Sequence, residues 1–305
     1  EDVASLDDRV GEFVDLIIRG AHILPGPGWN QRIANGTSRG NAERFLAEVR
    51  QQVYARAKDP RSPYDLETET DNPVPGLLNT AATLSESLDQ LIQPMRALSE
   101  RLMYLLDESA SELDTALRNR IESVSRSLRR RAEGELEPWR SMLEALTDGT
   151  PKEFVDWFSV SRSQSRDIDV SMRRHYVDPM LPFAKTVAEP SHGIVITSAT
   201  LRDGTGDAEL DWLSAEERTG AVHLKAPPYR AKVSSPFNYR AQTRILVVTD
   251  VRKDDLNQVA TAYRELFFAA GGSALGLFTA ITRLRSVHEK IAPQMEDAGF
   301  LLLAQ

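Results

Sequence analysis

From residue 84 the apolar positions keep a strict beat. Leu84, Leu88, Leu91, Met95, Leu98, Leu102 and Leu105 alternate steps of four and three. Three heptads of such a seam predict a long helix, with Pro94 expected to kink it. Leu113, Leu117, Ile121, Val124 and Leu128 carry a similar stripe, so the two segments are expected to pack as an antiparallel helical hairpin ending near GELEPW (134–139). Such a hairpin buries the seam within one chain, which makes oligomerisation through it the minority reading. Ahead of it, residues 1 to about 58 also read as helical. Val10, Phe13, Val14, Ile17 and Ile18 fall on one face, PGPGWN (25–30) and Asn35-Gly36 interrupt, and Phe45, Val49, Val53 and Tyr54 restart the pattern. The proline- and carboxylate-rich stretch 59–76 reads as a loop or a pair of short edge strands. A short helix around 139–146 is expected to stop at Asp148-Gly149.

After about residue 152 the period changes. VDWFSVSR (155–162) and IDVSM (168–172) predict a strand pair, and 175–189 a short helix capped near Asp178. Five short apolar runs are strand candidates: GIVIT (193–197), AVHLK (221–225), RILVVT (244–249), ALGLFT (274–279) and FLLLA (300–304). Between the last three lie two helical patterns. One covers about 253–270, with Leu256, Val259, Tyr263, Leu266 and Phe267 inward and Gly271-Gly272 ending it. The other covers about 280–298, with Ile281, Leu284, Val287, Ile291 and Met295 inward and Gly299 as its stop. Strand–helix–strand–helix–strand from 244 to 304 predicts right-handed units on a parallel sheet.

Composition narrows the class. With 305 residues, 41% hydrophobic and 27% charged, the chain fits an ordinary globular protein of about two domains. It holds no cysteine, which excludes disulfides and thiolate metal sites among these residues and fits a reducing compartment. No apolar run approaches membrane-spanning length, and the acidic, amphipathic start EDVASLDDRVGEF lacks the character of a signal peptide. A cytoplasmic protein without membrane contact is expected. The net charge of −8 means that nucleic acid must be met by a local patch rather than by the global field.

Chemistry-bearing motifs are few. G-x-x-x-x-G-K-[ST] is missing, and the glycine-rich run RDGTGDAEL (202–210) reads as a surface loop. Ser198 has no nucleophile elbow around it. The five histidines have no metal-ligand spacing, and Asp254-Asp255 sit where helix capping explains them. Arg118, Arg120, Arg126, Arg129, Arg130 and Arg131 form a basic segment. It reads either as a phosphate-tracking face or as a solvated helix face laced with Glu122, Glu133 and Glu135. Arg162, Arg166, Arg173 and Arg174 pose the same alternative. Trp139, Trp157 and Tyr176 could stack on bases, although aromatics near strand ends more often belong to a core.

One ordered set of signals goes further. TSATL (197–201) ends a strand candidate, SSPFNY (234–239) comes next, then QTRILVVTDV (242–251), a helix, and GGSALGLFTAITRLRSVHEKI (271–291). This order and spacing resemble the DinG branch of the XPD/DinG superfamily 2 DNA helicases, over residues 165 to 305. The resemblance implies a long-helix arch-like domain (1–150), the closing segment of a first RecA-like motor domain (151–201) and the start of a second (202–305). The implied fold class is α/β plus all-α, a partial parallel-sheet motor joined to an arch. In that family the S-A-T hydroxyls link the nucleotide site to the DNA face. Thr197, Ser198, Ala199 and Thr200 would be the coupling motif, and Thr279 would contact a backbone phosphate of single-stranded DNA, with Arg126, Arg129 and Arg130 as further contacts. ATP and magnesium belong to such an enzyme, but the phosphate loop, the acidic box and the terminal arginine motif are missing from these residues. By the resemblance the first two would precede residue 1, as would any iron–sulfur cluster, and the third would come after residue 305. The expectation is a monomeric segment inactive by itself. The alternative is a non-catalytic helical adaptor for nucleic acid or protein.

Overall fold

The computed structural model describes residues 8–108, 113–163 and 165–304. The chain forms two compact units that divide between Arg230 and Ala231.

In the first unit, helices α1 (Asp8–Gly20), α2 (Trp29–Ala34) and α3 (Gly40–Arg56) precede a short strand, β1 (Leu66–Glu69). Then come α4 (Leu77–Glu108), α5 (Thr115–Arg131) and α6 (Glu137–Asp148), strands β2 (Phe154–Ser163) and β3 (Arg166–Tyr176), and helices α7 (Met180–Phe183) and α8 (Ala208–Thr219). The leucine seam makes α4 a single helix of 32 residues, which continues through Pro94. At 1.5 Å per residue it is roughly 48 Å long, enough to serve two cores. One end packs Leu98 and Leu102 against Val10 of α1 and Ile121 of α5. The other end packs Leu77, Leu84, Leu88, Leu91 and Met95 with Phe45, Val49 and Val53 of α3 and with Phe158, Val160 and Val170 of the sheet.

Helices α4 and α5 run antiparallel, since Leu102 meets Ile121 while Ser99 meets Ser125. The two serines are buried and bond across the interface, Oγ to Oγ at 2.8 Å, and each hydroxyl reaches the other's carbonyl at 3.2 Å. Small side chains let the helices approach while leaving no hydroxyl unpaired. Asp114 caps α5 by accepting from the Leu117 amide at 2.7 Å. The hairpin does not end at 134–139. A five-residue π-turn, Ala132–Leu136, carries α5 directly into α6, with Ala132 and Leu136 buried. Proline near a helix start lacks only an N–H that has no partner there, so Pro138 does not stop the helix. Gly149 does, at φ 94°.

The sheet is antiparallel in the order β1-β2-β3, with Leu66 opposite Val160 and Phe158 opposite Met172, and with a bulge at Ser161/Arg162. The strand pair expected from 155–172 is therefore present, and the stretch 59–76 supplies one edge strand. Asp178, near which the cap of the following helix was expected, accepts from the Met180 amide at 2.9 Å, while Pro179 holds the N-cap position. Ile18 is exposed, because the apolar face of α1 is centred on Val10, Phe13, Val14 and Ile17.

The second unit holds α9 (Tyr239–Gln242), α10 (Leu256–Ala270) and α11 (Ile281–Asp297). Asp255 caps α10, Gly271 ends it in the left-handed region, and Gly299 comes just after α11 at φ 81°. Val259, Ala260, Tyr263 and Phe267 pack on Val287, Ile291 and Met295. Leu266 and Ile281, expected inward, are exposed.

None of the five apolar runs expected as further strands is paired in a sheet among the described residues, and Ala221–His223 is a 3₁₀ turn. A physical reason is visible in the second unit. Gly276, Phe278, Phe300 and Leu302 turn toward α10 and α11, while Leu275 (83%), Leu277 (76%), Leu301 (86%) and Leu303 (82%) face outward. The alternation is that of strands. Parallel strands, however, are stabilised by neighbours along their edges and helices on both faces, and here the helices cover one face.

Candidate coupling motif and nucleic-acid interface

Thr197–Thr200 lie in an exposed stretch after Ile194, Val195 and Ile196 that turns at Ala199-Thr200. The Ser198 hydroxyl sits 3.2 Å from that of Thr200 and accepts from the Thr200 amide at 3.2 Å. This local turn is a Ser/Thr habit, and it leaves the hydroxyls facing solvent.

The loop from Arg202 to Asp207 is held firmly. Asp211 of α8, 2% exposed, accepts from the Thr205 amide at 2.9 Å and from its hydroxyl at 2.7 Å, and its other oxygen meets Arg202 at 3.3 Å. These donors hold its carboxyl below the usual carboxylate range, the Thr205 amide first. Asp203 is lowered likewise, by the Ser214 hydroxyl and then by Arg218. The glycine-rich run expected as a surface loop over 202–210 is one only as far as Asp207, since Ala208–Leu210 begin α8, and it is built around a buried carboxylate. No residue pattern marks Asp211 for burial, because its partners come from an irregular loop. Trp212 carries Arg202 over its ring at 4.9 Å and Arg230 at 5.9 Å, so its face is occupied by the chain's own cations.

Arg126, Arg129 and Arg130 are exposed on α5 at spacings of three and four, with Arg129 one turn beyond the buried Ser125. Arg130 has a loose pairing with Glu135 at 3.9 Å. Arg126 and Arg129 make no ion pair or side-chain hydrogen bond among the described residues. Three members of the second arginine cluster are different in kind, while Arg166 is exposed. Arg174 grips Asp156 with two bonds of 2.7 Å, Arg162 binds Asp167 and the carbonyls of Pro60 and Ser165, and Arg173 bonds Ser161 and Ser171. Those three hold the sheet together and have little left for a ligand. Trp157 is tied to Glu67 at 3.2 Å and meets His175 edge-on, and Tyr176 packs on Phe154.

Thr279 is exposed, two residues ahead of α11, in the second unit. The stretch before it is fixed to α10. Tyr263 donates to the Leu277 carbonyl at 2.9 Å and stacks on Phe278 at 4.7 Å. Gly276 passes so close that a Cβ would stand 2.9 Å from Cε1 of Tyr263. Thr279 is therefore delivered by a rigid support to a helix N-terminus, where amides and a hydroxyl can meet an anion.

Among the described residues no group of three or more His, Asp or Glu side chains is arranged to hold a metal ion. A groove of about 250 Å³ between α4 and α6 is rimmed by Glu86, Glu144 and Asp148, a lining that repels phosphate. No helix among the described residues is long and apolar enough to cross a membrane. No protein-family model, curated protein or solved structure matches the chain.

Proposed function

We propose that the chain is part of an ATP-dependent DNA helicase of the DinG type, which couples ATP hydrolysis to movement along single-stranded DNA. The observation that carries this reading is the order of TSATL, SSPFNY and GGSALGLFTA along the sequence. Three structural features support it. The S-A-T hydroxyls face solvent, Thr279 is presented at a helix N-terminus, and the segments 274–279 and 300–304 are apolar on both faces, as strands of a RecA-like parallel sheet are. Ser198 and Thr200 would couple the motor halves, while Thr279, Arg126, Arg129 and Arg130 would make sequence-blind phosphate contacts. ATP and magnesium would be held by parts of the enzyme that carry a phosphate-binding loop. These residues hold no such loop, so the chain alone is expected to hydrolyse no ATP.

Fluorescence anisotropy with a labelled oligothymidine, run from low to high salt, tests the reading. Binding that weakens steeply with salt is expected, with no phosphate release in a parallel ATPase assay. Absence of binding at low salt would favour the protein-adaptor reading instead. DNA-stimulated ATP turnover by this chain would refute its inactivity.

A further inference from the structure

The hydrogen bonds of the Ser198 and Thr200 hydroxyls run within the Thr197–Thr200 stretch, so its orientation is set by the residues just after it. Asp211, Ser214 and Arg218 occupy one face of α8 at steps of three and four. All three reach back to the loop that leaves the motif. Arg218 donates to the Leu201 carbonyl at 2.7 Å and to Asp203 at 2.6 Å. Ser214 donates to the other oxygen of Asp203, and Asp211 takes the amide and hydroxyl of Thr205 together with Arg202. Charge-assisted bonds of this kind are about twice as strong as neutral ones. Burying a carboxylate is costly unless it is paired and hydrogen-bonded, and here those partners also fix a loop that turns through Gly204 and Gly206 at positive φ. A plain surface turn needs none of this.

We infer that Arg218 and Asp211 are positioning residues for the S-A-T motif. Arg218 holds the carbonyl of the residue directly after Thr200, so it sets the direction in which the Ser198 and Thr200 hydroxyls are offered. Asp211 anchors the far end of the same loop. This inference rests on the coupling role proposed above.

The test uses the full-length protein that carries this segment and reads the ratio of DNA-stimulated to basal ATP turnover, together with single-strand affinity. The Arg218 side chain is about half exposed (48%), so Arg218→Met is expected to fold, as circular dichroism would show. The ratio is expected to fall roughly tenfold or more, because small misplacements of a coupling group carry large rate penalties. Basal turnover and DNA affinity are expected to stay unchanged. Arg218→Lys, which can keep one of the two ties, should recover part of the ratio, and Asp211→Asn should lower it independently. Ser198→Ala is measured alongside. If Ser198→Ala leaves the ratio intact, the coupling reading itself fails. If Ser198→Ala collapses the ratio while folded Arg218→Met does not, the positioning role is overturned and the coupling reading survives. Loss of basal turnover and DNA affinity in Arg218→Met would overturn it too, by showing a general structural role.

Discussion

Replacing Asp156 by alanine tests the electrostatic argument where it is strongest. The Asp156 side chain is 1% exposed and that of Arg174 11%. Two 2.7 Å bonds join them, Thr150 donates to the same carboxylate at 2.9 Å, and the guanidinium lies 4.8 Å from the centre of the Phe154 ring. The pair ties β2 to β3 just where the chain emerges from α6. Removing the carboxylate leaves a buried cation with no counter-charge, which typically costs about 3–5 kcal/mol. At roughly 2–4 °C per kcal/mol for a unit of this size, the first unit should melt about 6–20 °C lower. Urea unfolding followed by circular dichroism would measure the loss in free energy. A loss below about 1 kcal/mol, the range of a surface pair, would show that water reaches Arg174 and that the argument from burial is wrong. Arg174→Met combined with Asp156→Ala should recover part of the loss, because it removes the stranded charge.

Replacing Arg126, Arg129 and Arg130 together by serine should reduce the salt slope of single-strand binding by up to about 2, at roughly 0.7 per phosphate contact; an unchanged slope would make α5 a solvated face. Glu43 is buried against Arg32, whose hydrogen bond, followed by that of the Arg39 amide, holds its carboxyl below the usual range. A lowered folded-state value gives stability that is present above the unfolded value of about 4.3 and is lost as pH falls through the folded one. Glu43→Gln should therefore flatten the decline in stability between about pH 5 and pH 3, read from urea midpoints across that range. Gly276→Ala would press a methyl group into the rings of Tyr263 and Phe267, at 2.9 and 3.2 Å, and should destabilise the second unit by about 1–3 kcal/mol in the same unfolding assay.

Sequence periodicity determined the long helices α1, α3, α4, α5, α10 and α11 and most of their buried faces, but it gave no sign of α8. Leu84 to Leu102 meet their partners as the four–three spacing required, and Asp255, Gly271 and Gly149 begin or end helices through capping and φ preferences that act within a few residues. Local chemistry is legible locally. The strand pair at 155–172 was legible as well, from short β-branched and aromatic runs, but its burial was not, since Val155 and Ile168 are exposed while Asp156 and Ser159 are buried. Tertiary structure decided matters that depend on residues far apart. Val195 or Leu275 has the hydropathy of a strand residue, but a strand exists only when a neighbour satisfies its backbone, and no local pattern supplies one. Coincidence in space also separated the arginines. Arg162 and Arg174 are bound to Asp167 and Asp156, whereas Arg126 and Arg129 have no ion-pair partner among the described residues. In the same way, α8 brought Asp211 and Arg218 to the loop after the S-A-T motif, a contact that spans up to 17 residues and leaves no periodic mark in the chain.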